Sequence, residues 1–283
     1  MRSALMSALA VVATAATLVA CGSDDETAAT TASASCAKEN LALVSSGTLT
    51  IGTDKPAYPP WFVDDDPSNG KGYESAVAYA VAEQMGFTNA EVKWVVVPFN
   101  TAISPAKKKF DFDINQVSIS DERRQAVDFS SGYYDVRQAV VTYKGSAIDG
   151  VTTVDGLKDA KLGAQVGTTS YTAIVDQIAP GKDPAVFDTN DLAVQALKNE
   201  QIDGIVVDVP TAFYMAAAQL DNGVIVGQLP GVGDAPEQFG LVLDKDSALT
   251  GCVSEAVDAL RADGTLESLQ SEWLANQGAP ELQ

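Results

Sequence analysis

KLGAQVGTTSYTAIVDQIAPGKDPAVFDTNDLAVQALKNEQIDGIVVDVP, residues 161–210, decides the fold. Lys161 to Ala164 is a short strand that leads through Gly167-Thr168-Thr169 into a helical pattern ending at Ile178. Ala185 to Phe187 is a second strand, and Asp191 to Asn199 is a second helix with Asp or Asn at its start. Ile202 to Asp208 is an apolar run that reads as a buried strand. Pro210 opens the next helix at a position where proline is tolerated. Strands that alternate with helices of about ten residues specify an α/β sheet with mostly parallel strands.

The same grammar extends towards the N-terminus. Thr48 to Gly52 is a strand, followed by a Pro-rich loop from Asp54 to Pro67. Ala76, Val77, Ala80, Val81 and Met85 recur at helical spacing from Tyr73 onward, with Gly86 as the stop. Val92 to Val97, Phe110 to Ile114 and Ala139 to Tyr143 are further strands, and a second unit begins near Gly145. Towards the C-terminus, strand Phe239 to Leu243 precedes two amphipathic helices, Ser247 to Ala262 and Thr265 to Ala275. Ligands of such sheets sit beyond the carboxyl ends of the strands. That singles out the loops Asp54–Trp61, Asn115–Arg123, Gly167–Ser170 and Asp208–Thr211.

The first residues set the compartment. Arg2 precedes an apolar stretch from Ala4 to Ala20, a secretory signal at 1–20. Its end, Leu18-Val19-Ala20-Cys21, resembles the bacterial lipobox, so Cys21 is expected to carry lipid and hold the protein at the outer face of the cell membrane. An ordinary signal peptide with a chance cysteine is the plainer alternative. Gly22 to Ser35 has no apolar side chain larger than alanine and cannot fold alone, which makes 21–46 a lipidated N-terminus and flexible tether. Cys36 and Cys252 remain, and two thiols in an oxidising compartment are expected to pair, the alternative being two unrelated buried thiols.

Composition removes several function classes. The formal charge is −20, and it becomes −21 when Arg2 leaves with the signal. Nucleic acid is excluded as a partner, because phosphate contacts need clustered Lys and Arg. There is no histidine, so Ser-His-Asp catalysis, Cys-His catalysis and His-based metal sites are excluded. Neither a cofactor nor a metal is expected.

The loops carry charges and rings suited to a small zwitterion. Ser118-Ile119-Ser120-Asp121-Glu122-Arg123-Arg124 places Arg123 at a helix start capped by Ser120. An Arg beside free backbone donors matches a carboxylate, although an Arg near a helix start is more often a solvated surface residue. Thr168 and Thr169 begin a second such helix. Asp208 ends an apolar strand, where a carboxylate is either an N-cap for the Pro210 helix or an ammonium receptor. Tyr58 and Trp61 are either loop anchors or a face that packs on ligand.

Taken together and in order, GTLTIGTD (47–54), YPPW (58–61), GYESAVAYAVAEQMGF (72–87), SISDERRQAVDFSSGYY (118–134), LGAQVGTTS (162–170), QIDGIVVDVP (201–210) and ALRADGTLESLQSEW (259–273) resemble the polar amino-acid-binding proteins of ABC importers, the family-3 extracellular solute-binding proteins. The resemblance implies a two-lobe periplasmic-binding-protein-like fold of type II, its lobes joined by two hinge strands. Lobe 1 is then 47–142 with 240–283, and lobe 2 is 143–239, with crossings near Tyr143–Ser146 and Gln238–Leu241. It puts Arg123, with Ser118 beside it, at the ligand carboxylate, completed by Thr168 and Thr169. It puts Asp208 at the α-ammonium, Tyr58 on the ligand's face and Asp54 at its side chain, with Phe99 lining the same cleft. Gln116 and Gln165 stand where smaller or apolar residues are usual, and either can shape the pocket. Asp54 offers acceptors only, which favours a polar or cationic ligand side chain.

The implied function is capture of a polar amino acid by a monomer for an ABC importer permease. Two alternatives share the fold. A periplasmic cyclohexadienyl dehydratase needs Asp54 as a general acid, and no second placed acid–base partner is visible. A sensory lobe needs a receptor partner.

Overall fold

The computed structural model describes residues 36–233, 235–274 and 278–283. The signal at 1–20, Cys21, the tether to Ser35 and the expected helix end at Ala275 lie outside the described residues. From Cys36 onward the chain is pinned, which shortens the expected tether. Cys36 is buried and disulfide-bonded to Cys252, and Leu41 and Leu43 pack on the core. The Val44 N–H donates to Asp111 at 2.7 Å.

Two mixed five-stranded sheets form the body. The first is built from β1 (Leu49–Thr53), β2 (Val92–Val96), β3 (Phe112–Asp113), β4 (Asp128–Val136) and β10 (Glu237–Leu243), in the order β2-β1-β3-β10-β4. β1 runs parallel to β2 and β3, while β10 runs antiparallel between β3 and β4. The second sheet holds β5 (Gln138–Tyr143), β6 (Leu162–Gln165), β7 (Ala185–Phe187), β8 (Gly204–Asp208) and β9 (Gly223–Gln228), in the order β7-β6-β8-β5-β9. β6 is parallel to β7 and β8, and β5 is antiparallel to β8 and β9. The expected βαβ units are present. The expected "mostly parallel" character is diluted because β5 and β10, which follow the two crossings, re-enter each sheet antiparallel.

The crossings lie earlier than expected. β4 ends at Val136 in the first sheet and β5 starts at Gln138 in the second, so the chain changes sheet at Arg137 rather than at Tyr143–Ser146. It returns between Gln228 and Glu237, not at Gln238–Leu241. The run DFSSGYYDVRQAVVTY (128–143) has no break at Arg137, so its pattern could not show where one sheet stops. The C-terminal residues also leave lobe 1. Leu282 N–H donates to Gln228 O at 2.9 Å, Gln283 N–H to Thr152 O at 3.1 Å, and Leu282 is buried in the core of the second sheet.

Around the first sheet pack α1 (Tyr73–Gln84), the single turn α2 (Phe99–Ala102), α6 (Thr250–Ala262) and α7 (Thr265–Trp273). Around the second pack α3 (Thr169–Ala173), α4 (Asn190–Lys198) and α5 (Val209–Tyr214), with α3 and α5 each continuing for a wider π-type turn. α4 forms because Ala193, Val194, Ala196 and Leu197 make one buried stripe and Thr189 caps its start, accepting from Leu192 N–H at 3.3 Å. β8 reads GIVVD because both faces are covered: Ile205 and Val207 face one apolar layer and Val206 the other. Among the described residues, no helix is long and apolar enough to cross a membrane.

Candidate functional site

The carboxyl ends of β1, β3, β6 and β8 converge on one cavity. Asp54, Tyr58, Phe99, Gln116, Ser118 and Arg123 line it from the first sheet's side. Gln165, Thr168, Thr169 and Asp208 line it from the second's. Of the residues singled out from sequence, Trp61 alone is absent. It is fully buried, edge-on to Tyr73, Tyr134 and Phe239, and its Nε1–H donates to Thr211 Oγ1 at 3.0 Å. Trp61 is a core ring that ties the first sheet's loops to α5, not a wall of the cleft.

Arg123 follows a short loop rather than opening a long helix. The Ser120 hydroxyl accepts its N–H at 3.2 Å, as a cap would, but only one turn, Arg123–Gln125, follows. Its Nη1 donates to Ser118 O at 2.6 Å and its Nη2 to Gly167 O at 2.7 Å, which spans the two lobes. The guanidinium lies over the Phe99 ring, 5.5 Å from the centroid. A guanidinium has five N–H donors in a fixed fork, so these two bonds orient it and leave donors for an anion. Burial lowers its pKa, against the opposing pull of Glu237 and Asp208.

Asp208 ends β8. It does not cap α5 with its side chain, so the capping alternative is not the one taken. Its carboxylate accepts from Gln138 Nε2 at 3.1 Å. Burial pushes its pKa up to about 8, and the nearby Glu237 adds to the rise. A buried carboxylate in this state calls for a cation. Gln138 was not singled out from sequence. It sits at the crossing into β5, and its Oε1 accepts from Ser170 Oγ at 2.6 Å, which holds its NH₂ toward Asp208. No local pattern marks such a residue.

The remaining groups have definite tasks. Ser118 Oγ and Thr169 Oγ1 meet at 3.1 Å across the lobes. Thr168 caps α3, accepting from Tyr171 N–H at 3.3 Å, and donates its own proton to Gln165 O at 2.7 Å. Its hydroxyl is therefore spent locally and has no proton left for a carboxylate. Tyr58 stacks on Tyr214 with centroids 5.6 Å apart, and its oxygen accepts from Asn190 Nδ2 at 3.1 Å. Asp54 accepts from Lys55 N–H at 2.7 Å and Phe99 N–H at 3.0 Å. Gln116 has a left-handed backbone (φ 47°), its N–H donates to Glu74 Oε1 at 2.7 Å, and its NH₂ donates to Glu74 Oε2. Its amide donors thus serve Glu74, which is fully buried and also accepts from Tyr133 Oη. Desolvation pushes Glu74 up to about 7. Asn115 and Asn190 also line the cavity. Asn190 could have been found only as the "Asp or Asn" at a helix start, which reads first as a cap. Among the described residues, no cluster of His, Cys, Asp and Glu could hold a metal ion.

An anchored guanidinium from one lobe and a buried carboxylate from the other, with aromatic faces at Tyr58 and Phe99, line one cavity and are chemically suited to a molecule bearing both charges. The chain is similar to known amino-acid-binding proteins. The L-cystine-binding protein of Escherichia coli is 30% identical over 230 residues, covering 80% of this chain and 82% of its own. An L-arginine-binding protein of Pseudomonas aeruginosa is 27% identical over 239 residues, covering 80% and 90%. A solved structure of an ancestral arginine-binding protein bound to glutamine superposes with a TM-score of 0.64 at 29% identity, covering 81% of this chain and 99% of that one. These relatives are binding proteins rather than enzymes. Residues 49–276 match the bacterial extracellular solute-binding proteins, family 3, and the chain belongs to that family.

Proposed function

We propose that this protein captures a polar amino acid between its lobes and delivers it to the permease of an ABC importer. The ligand's carboxylate meets Arg123 and its α-ammonium meets Asp208. Ser118 and Thr169 flank the carboxylate, and Tyr58 covers one face of the ligand. The observation that carries this reading is the pair itself: Arg123 and Asp208 come from different lobes, line one cavity and are both desolvated. Two buried charges of opposite sign are tolerable when a zwitterion pairs with each. The relatives that bind cystine and arginine support the ligand class. The lobes are taken as 47–136 with 237–274, and 138–228 with the C-terminal residues, following the two sheets. The lipobox resemblance at Cys21 supports attachment to the outer face of the membrane, where a monomer can meet its permease. A thermal-shift screen of the purified protein against the common amino acids, followed by calorimetry, tests the reading. One or a few polar amino acids should raise the melting temperature and bind with one-to-one stoichiometry. A flat response across the panel rejects it. Cys21→Ser should release the protein from the membrane fraction, and unchanged membrane recovery rejects the anchor.

A further inference from the structure

The cavity holds two buried polar atoms that have no hydrogen-bond partner: the donor Asn115 Nδ2 and the acceptor Asn190 Oδ1. Asn115 is only 8% exposed, and it leaves β3 one residue after Ile114, at the carboxyl end of the first sheet. Asn190 opens α4 on the other lobe. Its Nδ2–H donates to Tyr58 Oη at 3.1 Å, and Oδ1 is the atom without a partner. Several neighbouring polar groups already have partners. Both Asp54 oxygens take backbone N–H groups, the Gln116 NH₂ serves Glu74, and the Thr168 proton goes to Gln165 O.

Buried polar atoms are almost always satisfied in a native fold, and leaving one unsatisfied carries a real penalty. A ligand side chain that supplies one acceptor and one donor satisfies both atoms. An ammonium or guanidinium supplies donors only and leaves the Asn115 donor unmatched. A carboxylate supplies acceptors only and faces Asn190 Oδ1 with like polarity. An apolar chain satisfies neither. A carboxamide is a small neutral group with one carbonyl and two N–H bonds, and it fits both.

We propose that the ligand's side chain ends in a neutral carboxamide, as in glutamine or asparagine, with Asn115 donating to its carbonyl and Asn190 accepting from its NH₂. This rests on the amino-acid reading above and names the side-chain class. It departs from the sequence-based expectation drawn from Asp54, each of whose oxygens already takes one backbone N–H.

Calorimetry on the unmodified protein tests it with glutamine, asparagine, glutamate, lysine, arginine, methionine and cystine. Glutamine or asparagine should bind at least about tenfold tighter than each of the others, methionine included, because a site built for a polar group rejects the analogue lacking it. In Asn115→Asp, which has the same shape but an acceptor in place of the donor, the carboxamide ligand should weaken by about ten- to hundredfold while lysine or arginine gains. The panel on the unmodified protein decides the matter even if that variant fails to fold. Tightest binding of lysine, arginine, cystine, glutamate or methionine overturns the carboxamide assignment and leaves the amino-acid reading intact. No binding by any amino acid overturns both.

Discussion

Replacing Asp208 by Asn isolates one charge without changing shape. In the closed cleft, burial raises the Asp208 pKa from 3.8 to about 8, with Glu237 pushing the same way and the Gln138 amide pulling against. At about 1.4 kcal/mol for each tenfold, holding the carboxylate charged there is worse than in water by about 6 kcal/mol. A ligand ammonium must offset that, and its hydrogen bond to a charged partner contributes about 1.5–3 kcal/mol net. Asp208→Asn keeps a carbonyl for the ammonium but loses the charge, so binding should weaken by about ten- to hundredfold. The same change removes the cost of closing an empty cleft. The ligand-free variant should therefore be more compact than the unmodified protein in solution scattering, and it should contract less when ligand is added. Calorimetry gives the affinity and scattering gives the radius. Wild-type affinity in Asp208→Asn, for an amino acid that demonstrably binds the unmodified protein, would refute the placement of the ammonium.

Arg123→Ala should weaken binding by about two decades, since it leaves the ligand carboxylate unpaired; Arg124→Ala should do little, because Arg124 stacks on Phe129 and is not among the residues lining the cavity. Glu74 is held at about 7 against 4.5 by burial, so the folded protein binds its proton more tightly than the unfolded chain does. Its contribution is full below 4.5 and fades as pH climbs to about 7, by up to about 3 kcal/mol. Asp113 and Asp208 act in the same sense. Urea midpoints should therefore fall between pH 5 and pH 8, and Glu74→Gln should flatten that slope; an unchanged slope rejects the assignment. Cys252→Ser opens a bond across a sequence separation of 216 and should cost at most about 5 kcal/mol of stability, with ligand affinity unchanged. Deleting residues 280–283 removes the Arg137–Glu281 ion pair and buried Leu282, so it should lower the melting temperature and expand the ligand-free protein.

Much of the fold was legible because each lobe repeats a local grammar. β8 and α5 follow from an apolar β-branched run, a terminal Asp and a Pro, and the structure puts them there. β4 was missed as a strand: Ser130, Ser131 and Gly132 weaken its pattern, and only pairing with β10 makes it one. β9 was missed for a similar reason, since Gly223 and Gly227 interrupt a short run whose partners are β5 and the C-terminal residues. The structure brings Arg123 and Asp208 to one cavity, and the sequence could mark both, Asp208 by its strand end and Arg123 by the capped turn after Ser120. Trp61 takes the loop-anchor alternative rather than the ligand face, since an aromatic in a loop looks the same in sequence whether it faces ligand or core. Gln138 could not be anticipated, since its role depends on Ser170 and Asp208, which reach it from two other elements.

Closure and recognition use the same atoms. The contacts that bridge the lobes are Trp61 to Thr211, Tyr58 to Asn190 and Tyr214, Ser118 to Thr169, and Arg123 to Gly167. The neutral hydrogen bonds among these contribute about 1 kcal/mol each, net of the water they displace, and the charged Arg123 bond about 1.5–3 kcal/mol. Against them stand the desolvation of Arg123 and the larger cost of a charged Asp208. By these figures an empty cleft is near balance, and protonation of Asp208, whose pKa burial raises, would ease its closure without ligand. A ligand can shift that balance only by interacting differently with the open and closed forms. On the proposed binding mode a zwitterion does so, because its two charges reach Arg123 and Asp208 together only when the lobes approach. A ligand lacking either charge loses that contact and leaves one buried group unpaired. On the proposed binding mode, selectivity for an amino acid follows from the cost of closing the cleft without one, and the proposed roles of Asn115 and Asn190 would set the choice among amino acids.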